Sequence, residues 1–315
     1  MHAALTAITD ELRRLKADGV KNIVVSEESL AALRKVVAAR MPEKPPEARA
    51  VPAATSSSVS ESPPVSAPAP RTYAQPRQPA VRPSAPKSDP KLPPPPVVTL
   101  PEGDKRTRWD ALLDLVTNDP ECLKHVRPGK KVVLGVGDLD AKIFFCGEAP
   151  GEEEEIRGEP FVGPAGQLLT KMILAMGVKR EDVYIGNIMN WRPELPVAPG
   201  HAQVGNRPPT EEEMNYCMPY LRKQLEIVNP DVIVALGSTA AKGLLGHDSF
   251  TTLGSIRGKW KTFEEKPLMV TYHPSYILRT PTNRTKRAVW EDFLKVMEHV
   301  ALPVSEKQLG YFLGK

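Results

Sequence analysis

The stretch that most constrains this chain is residues 143–166, which read IFFCGEAPGEEEEIRGEPFVGPAG. Residues 143–146 are apolar and bounded by turn residues, so they predict a short buried strand. The glycines that follow permit tight turns and a close approach of the backbone to a ligand. In open α/β sheets ligands bind beyond the carboxyl ends of the strands, so this strand and loop predict a site. An ordinary strand-to-helix turn with solvated glutamates is the alternative.

Proline usage divides the chain into regions. Half of the 34 prolines fall between residues 42 and 96. We expect residues 42–104 to be a Pro/Ala/Ser-rich disordered linker, because such a segment buries too little apolar surface to offset its ordering entropy. Residues 1–41 space their apolar side chains at helical intervals and predict a small helical module. A module that binds an unidentified protein partner and a degraded or merely solubilising extension are the two alternatives for its role. A folded domain over residues 105–302 and a tail over 303–315 complete the organisation.

The cellular setting follows from charge and cysteine usage. No apolar run is long enough to span a membrane, and Arg13 and Arg14 lie where a secretory signal would be apolar. Cys122, Cys146 and Cys217 do not make a disulfide framework and fit a reducing compartment. We therefore expect a soluble, cytoplasmic, monomeric protein without a membrane partner. The net charge of +4 is mild, so other partners must be inferred from local clusters.

Strands and helices alternate along the folded domain. Predicted strands cover residues 143–146, 183–188, 232–236 and 268–271, with an earlier strand pairing near 131–134; predicted helices cover 109–116, 165–176, 210–228, 238–245 and 284–300. This alternation predicts a three-layer α/β/α fold with a central, mainly parallel four-stranded sheet. Polar residues follow three of the strands, in GEAPG, at Asn187 and in YHPSYILR. We expect these loops to gather at one edge of the sheet.

Four motifs carry a resemblance to a known family. GEAPGEEEEIRGEPFVGPAG, VYIGNIMNWRP, NPDVIVALG and YHPSYILR resemble the successive motifs of family 4 uracil-DNA glycosylases, the iron–sulfur type of bacteria and archaea. The resemblance covers about residues 109–300. It implies a monofunctional hydrolase of base excision repair that flips uracil out of DNA and cleaves its N-glycosidic bond, leaving an abasic site. The alternative is a non-catalytic DNA-binding or damage-sensing module that keeps the uracil pocket.

The resemblance also implies which residues bind the base. Phe161 would stack on the flipped uracil, and Asn187 would hydrogen-bond its Watson–Crick edge. A carboxamide offers both a donor and an acceptor, which discrimination of uracil requires. Ala149, within GEAPG, is expected to line the same substrate site.

Three further residues are expected to carry the chemistry. By the same resemblance, Glu154 would position water and balance the cationic sugar, and Glu148 would shape the pocket. His273 would donate to the pyrimidine oxygen on which negative charge grows. Within the acidic run 152–155 only the spacing to Phe161 singles out Glu154, and at least two of the other carboxylates are expected to be merely solvated.

The segment after His273 predicts a DNA-binding surface. Tyr276, Ile277 and Leu278 are candidates for an apolar wedge that fills the gap left by a flipped base. The residues expected to contact DNA are Ser275, Leu278, Arg279, Arg284 and Lys286, and Arg287 belongs to the same basic run. A solvated helix start is the alternative for this run.

The chain departs from the family at the metal cluster. The family binds a four-iron cluster through four cysteines, but here His125 and Trp191 stand at two of those positions and only Cys122 and Cys217 remain. Tryptophan has no group that ligates iron. We therefore expect no cluster and no other cofactor, with Trp191 filling part of the volume. A residual zinc site formed by Cys122, His125 and Cys217 is the alternative.

A second departure is the long loop over residues 193–209, PELPVAPGHAQVGNRPP. A relative that bonds covalently to uracil carries a basic, histidine-containing insertion at this place. The Lys-Arg-Arg-Ile-His pattern of that relative is missing here, and Asn206 aligns with its reactive histidine. We therefore expect no covalent crosslinking, and a loop that adjusts DNA contacts or covers the place of the lost cluster.

Overall fold

The computed structural model describes residues 92–196 and 203–313. The predictions for residues 1–41 and for 42–91 of the linker lie outside the described residues. Residues 92–104 form no helix or strand, but Leu92, Val98 and Leu100 pack against the hydrophobic core. The packed structure therefore includes residues that precede the predicted domain start at 105.

Helices and strands alternate through the described domain. Its helices are α1 Lys105–Thr117, α2 Pro120–Lys124, α3 Glu152–Arg157, α4 Pro164–Ala175, α5 Glu211–Val228, α6 Gly237–Leu245, α7 Leu253–Ile256, α8 Pro274–Arg279, α9 Asn283–His299 and α10 Glu306–Leu309. Its strands are β1 Val136–Gly137, β2 Ile143–Gly147, β3 Tyr184–Asn187, β4 Val232–Leu236, β5 Trp260–Phe263 and β6 Lys266–Thr271. Among these helices none is long and apolar enough to cross a membrane.

The sheet has the strand order β1-β3-β2-β4-β6-β5. The four inner strands β3, β2, β4 and β6 are parallel, which confirms the predicted parallel core. Strands β1 and β5 add antiparallel edges to it. The strand predicted near residues 131–134 is wrong, because the N–H group of Lys131 donates to the carbonyl of Glu155 in helix α3 and that of Val133 donates to the carbonyl of Asn190.

Helices cover both faces of the sheet. Phe144 and Cys146 point into a core shared with α1, α5 and α6, whereas Ile143 and Phe145 point into a second core shared with α4 and α9. Burial on both faces explains why the inner strands are continuous apolar runs. The layers therefore form the predicted α/β/α sandwich.

Local signals set several helix boundaries. The predicted capping box at the start of α5 is present, since Thr210 Oγ1 accepts from the Glu213 N–H while Glu213 Oε2 accepts from the Thr210 N–H. Asn229 ends that helix in a left-handed conformation. The tail predicted over 303–315 also packs, because Trp290 Nε1 donates to the carbonyl of Gln308 at 2.6 Å. These contacts fix the helices that surround the sheet, and the loops of interest extend from the carboxyl ends of its parallel strands.

Candidate active site

The carboxyl ends of the parallel strands open into a cavity of about 1060 Å³. Every residue predicted to carry chemistry or to bind a base lines it: Glu148, Ala149, Glu154, Phe161, Asn187 and His273. Ser275 and Arg279 also line this cavity, whereas Leu278, Arg284 and Lys286 do not. The structure thus brings together groups from three loops that are far apart in sequence.

Gly147, the last residue of β2, lets two side chains meet at the floor of the cavity. A Cβ on Gly147 would lie 2.4 Å from Asn187 Oδ1 and 2.5 Å from the ring of Phe161. Phe161 is buried, and its φ of 54° is unusual for a residue with a side chain. Its ring centroid lies 5.6 Å from that of His273. An aromatic face, an amide and an imidazole therefore converge on one small volume.

Glu154 holds the loop that carries Phe161. Its Oε1 accepts from the N–H groups of Val162 and Gly163 at 2.9 Å each, and its Oε2 accepts from the Gly151 N–H at 3.2 Å. These bonds support the strained backbone of Phe161, which costs on the order of 1 kcal/mol or more. The carboxylate that was predicted to position water therefore also shapes the pocket. Of its two oxygens only Oε2, which accepts a single hydrogen bond, can accept a further one.

The acidic run around Glu154 forms helix α3 rather than an irregular turn. Sequence reasoning missed this helix, although four consecutive glutamates suit a first helical turn. Glu155, one of the carboxylates for which only solvation was considered, is 5% exposed and pairs with Arg192 at 3.0 Å. Glu152, in contrast, is exposed.

Asn187 presents an unpaired acceptor to the cavity. The residue is 6% exposed, and its Oδ1 has no hydrogen-bond partner among the described residues. A buried acceptor without a partner costs about 1–3 kcal/mol. Because Oδ1 faces the space over Gly147, a ligand that brings an N–H donor there would remove this cost.

His273 is held as a neutral donor. Its Nδ1 accepts from the Ser275 N–H at 3.1 Å and lies 2.8 Å from Ser275 Oγ. Burial, reinforced by the positive charge of Arg279, lowers the pKa of His273 to about 4. With Nδ1 occupied as an acceptor, the proton lies on Nε2, which can donate to a ligand.

We expect this histidine to stay neutral, with its proton on Nε2, from about pH 7 to about pH 5. Because the unfolded chain takes up a proton below pH 6.5 and the folded chain does not, stability should be lost as pH falls from there towards about 4. The ¹⁵N shifts of the ring, assigned by comparison with His273→Gln, measure this. An imidazolium signal of His273 near pH 6 would contradict the expectation.

Glu148 is a second carboxyl group of the cavity in a different environment. Burial raises the pKa of Glu148, and a hydrogen bond from Thr239 and the charge of Arg279 oppose that shift. Its backbone carbonyl accepts from the Met189 N–H at 3.1 Å, which ties the GEAPG loop to the segment after β3. These contacts fit the predicted pocket-shaping role.

A buried ion pair supports the strand that precedes His273. Asp292, 1% exposed, accepts from Thr271 Oγ1 at 2.6 Å and from Arg257 Nη1 at 2.7 Å. Burial raises the pKa of Asp292, and Thr271 and Arg257 oppose that shift. This cluster locks the end of β6 and hence the backbone of Tyr272 and His273. Sequence reasoning missed it, since no local signal links residues so far apart in the chain.

The candidate wedge segment forms helix α8. Ile277 is only 5% exposed and packs in the core below the cavity, so its assignment to the wedge is wrong. Tyr276 is 37% and Leu278 47% exposed, so both side chains can reach a ligand at the surface. The period of the helix explains the split, because neighbouring residues face different sides.

The basic residues after α8 lie on the exposed start of α9. Arg284 is exposed, and the Lys286 ammonium lies 6.0 Å from the ring centroid of Phe312. Arg279, at the end of α8, faces the cavity itself. Arg279 therefore brings positive charge to the cavity, whereas Arg284 and Lys286 lie outside its lining.

The positions that correspond to the family's cluster ligands form a packed aromatic group. Trp191 is 1% exposed and stacks on His125 with ring centroids 4.9 Å apart. His125 Nε2 lies 3.0 Å from Glu121 Oε1. Burial raises the pKa of the Cys122 and Cys217 thiols, which favours their protonated forms. A four-cysteine cluster does not fit this site. Its side chains are two thiols, an indole and a histidine that lies beside a carboxylate.

The long loop borders the cavity. Of its described residues, Asn206 and Pro208 line the cavity wall near Glu154. The sequence predicts a loop that either adjusts DNA contacts or covers the cluster position, and these two residues place its second half against the candidate active site.

Comparisons with known proteins agree with this geometry. The profile of the Uracil DNA glycosylase superfamily matches residues 134–294. A type-4 uracil-DNA glycosylase of Thermotoga maritima is 43% identical over 172 residues, 54% of this chain and 83% of the relative. A type-4 enzyme of Archaeoglobus fulgidus is 42% identical over 197 residues, 60% of this chain and 93% of the relative. A type-5 enzyme of Pyrobaculum aerophilum is 31% identical over 181 residues, 52% of this chain and 73% of the relative.

Proposed function

The chain belongs to the uracil-DNA glycosylase superfamily, and from this premise we propose that it is a DNA-repair hydrolase that removes uracil from DNA and leaves an abasic site. The observation that carries the proposal is the unpaired Oδ1 of Asn187, buried beside Phe161 and over Gly147. Such an acceptor fits the N3–H group of a uracil base. A base must leave the helical stack to reach it, at a cost of a few kcal/mol.

Base recognition is assigned to the floor of the cavity. Phe161 stacks on the flipped uracil, and the amide of Asn187 accepts from N3–H and donates to O4. Cytosine presents an acceptor at N3 and a donor at the exocyclic nitrogen, so the same amide orientation would leave both pairs mismatched. Ala149 contributes a small side chain to the wall and leaves room for the ring.

The chemical step is assigned to His273 and Glu154. The glycosidic electron pair leaves with the base, and the Nε2–H of neutral His273 donates to the uracil oxygen on which negative charge grows. Oε2 of Glu154 faces the sugar, where it balances the positive charge and orients the attacking water. Glu148 shapes the wall between them through Thr239.

DNA binding is assigned to α8 and the start of α9. Leu278, with Tyr276 beside it, occupies the gap left by the base. Ser275, Arg279, Arg284 and Lys286 contact the phosphates on either side. Most of these groups are exposed or line the cavity, as such contacts require.

We further propose that excision proceeds without an iron–sulfur cluster. The support is the stacked Trp191 and His125, which occupy the place where the family's ligands would stand. Three buried free cysteines fit a reducing compartment, and we propose a cytoplasmic, monomeric enzyme. A protein partner for residues 1–41 is also proposed.

The test of the proposed function uses oligonucleotides that carry one uracil, single-stranded or opposite G or A. Excess purified protein should convert them to alkali-labile products cut at the uracil position, and leave a matched thymine strand intact. A folded protein that binds these strands without creating an alkali-labile site would contradict catalysis and favour the damage-sensing alternative.

A further inference from the structure

Two tyrosines of the cavity wall are stacked on each other. The ring centroids of Tyr272 and Tyr276 lie 4.7 Å apart with an interplanar angle of 29°, and both residues line the cavity. We propose that this pair is a binding site for a second base of the DNA, the unpaired neighbour of the flipped uracil. The inference rests on the proposed function, because it places that base relative to the uracil in the cavity.

A cation supports the inner ring of the pair. The guanidinium carbon of Arg257 lies 5.3 Å from the ring centroid of Tyr272, within the range of a cation–π contact. Arg257 is itself fixed, because its Nη1 donates to Oδ1 and Oδ2 of the buried Asp292 at 2.8 and 2.7 Å and to the carbonyl of Ala288 at 2.7 Å. The stacked pair therefore rests on an ion pair that is anchored in helix α9.

Tyr276 is the end of this stack that a ligand can reach. The residue is 37% exposed, and its hydroxyl makes no hydrogen bond to another described residue. Stacking on Tyr272, rather than a polar contact of the hydroxyl, therefore sets the position of the ring. One face of the Tyr276 ring packs on Tyr272, and the second face is left for a partner with a flat apolar surface.

A nucleobase has the surface that this ring requires. When uracil leaves the stack, the bases beside it lose a stacking neighbour, and in single-stranded DNA no complementary strand holds them. An aromatic side chain replaces that neighbour for any base, because every base has a π face. Arg279 lies three residues after Tyr276 on α8 and lines the same cavity, so its charge can meet the phosphate that joins the two nucleotides.

The stack gives Tyr276 a ligand that differs from that of Leu278. Leu278 is assigned to the gap that the flipped base leaves, whereas the ring of Tyr276 stacks on a base that borders this gap. Affinity should therefore depend on whether that neighbouring base is present, and little on which of the four bases it is.

The test is the affinity for single-stranded oligonucleotides with one non-cleavable uracil analogue, in which the base on its 5′ or its 3′ side is present or is replaced by an abasic residue. The wild-type protein should bind about 5- to 100-fold more weakly when the stacked base is removed. Tyr276→Leu should bind the intact and the abasic strand with nearly equal affinity. Tyr276→Phe keeps the ring and should retain the wild-type ratio.

Trp260→Leu is the matched control. Trp260 is an aromatic residue of β5 that is 41% exposed and does not line the cavity. Its replacement removes a ring of the described surface without touching the Tyr272–Tyr276 pair, so the ratio of the two affinities should stay at the wild-type value.

Two results would overturn the inference. One is a wild-type affinity that does not change when either flanking base is removed. The other is a Tyr276→Leu protein that keeps the wild-type ratio of affinities, since its ring would then not contact that base. Wild-type protein that binds the uracil strand no more tightly than a matched thymine strand would instead overturn the proposed function. The comparison of uracil with thymine thus separates the two failures.

Discussion

Glu154→Gln is expected to lower the single-turnover rate of uracil excision by about 10²–10⁴-fold while DNA affinity is largely kept. Glutamine is nearly the same size and can still accept from the N–H groups of Val162 and Gly163 through its oxygen. It loses the negative charge that balances the cationic sugar and the acceptor that takes the water proton. The measurement is a rapid-mixing time course with protein in excess over a uracil-containing duplex.

The control for this variant is Glu152→Gln on the same helix. Glu152 is exposed at the rim of the same cavity and makes no hydrogen bond or ion pair in the described part of the chain. Its replacement removes one negative charge from α3 without touching the Phe161 loop, so the rate should stay near that of the wild type. If Glu154→Gln retained turnover, the assignment of the water-positioning carboxylate would be wrong.

Gly147→Ala is expected to abolish uracil recognition. The added methyl would lie 2.4 Å from Asn187 Oδ1 and 2.5 Å from the ring of Phe161, closer than any real contact. One of the two base-binding groups must move, and displacement of a positioned group by about 1 Å already costs on the order of 100-fold in rate. Overpacking should also lower the free energy of unfolding by about 1–3 kcal/mol.

This loss is measured as excision rate and as affinity for the non-cleavable uracil analogue, both of which should fall together. Gly254→Ala, on α7, is the matched control, since a Cβ there meets nothing within 4 Å. It should leave rate and affinity unchanged. Wild-type excision by Gly147→Ala would mean that the base does not sit between Phe161 and Asn187.

The parallel core of the sheet was predictable because its strands bury both faces. Residues 232–236 were predicted as a strand with the observed bounds, because a short run of aliphatic residues between a proline and a helix start is typical of a buried parallel strand. The convergence of Asn187 and His273 followed from the same logic, because the carboxyl ends of parallel strands meet at one edge. Their individual roles needed the family resemblance.

The contacts that tune the site could not be predicted. Glu155 and Arg192 lie 37 positions apart, and Thr271 and Asp292 lie 21 apart, so nothing local distinguishes them from surface charges. The strand expected near residues 131–134 is absent for the same reason, because carbonyls distant in the chain, at Glu155 and Asn190, accept from the N–H groups of Lys131 and Val133. Contacts with residues distant in the chain determine whether such a segment forms a strand or an ion pair, and a single sequence does not show which distant residues come together.

The positions of the family's cluster ligands show both what could be predicted from the sequence and what could not. The family resemblance implied that Trp191 stands at the position of a cysteine ligand, and we predicted that its side chain fills volume there. The structure adds that the indole stacks on His125, the residue at a second ligand position. Two substitutions that look independent in sequence are therefore partners in one packing arrangement.

The most direct measurement is release of free uracil from a uracil-containing oligonucleotide by protein whose iron, sulfide and zinc have been determined in the same preparation. We expect one free uracil per strand, an alkali-labile site left behind, and turnover that does not depend on iron. A well-folded, DNA-binding preparation that releases no uracil, or one that releases it only when it contains iron and sulfide, would contradict this expectation.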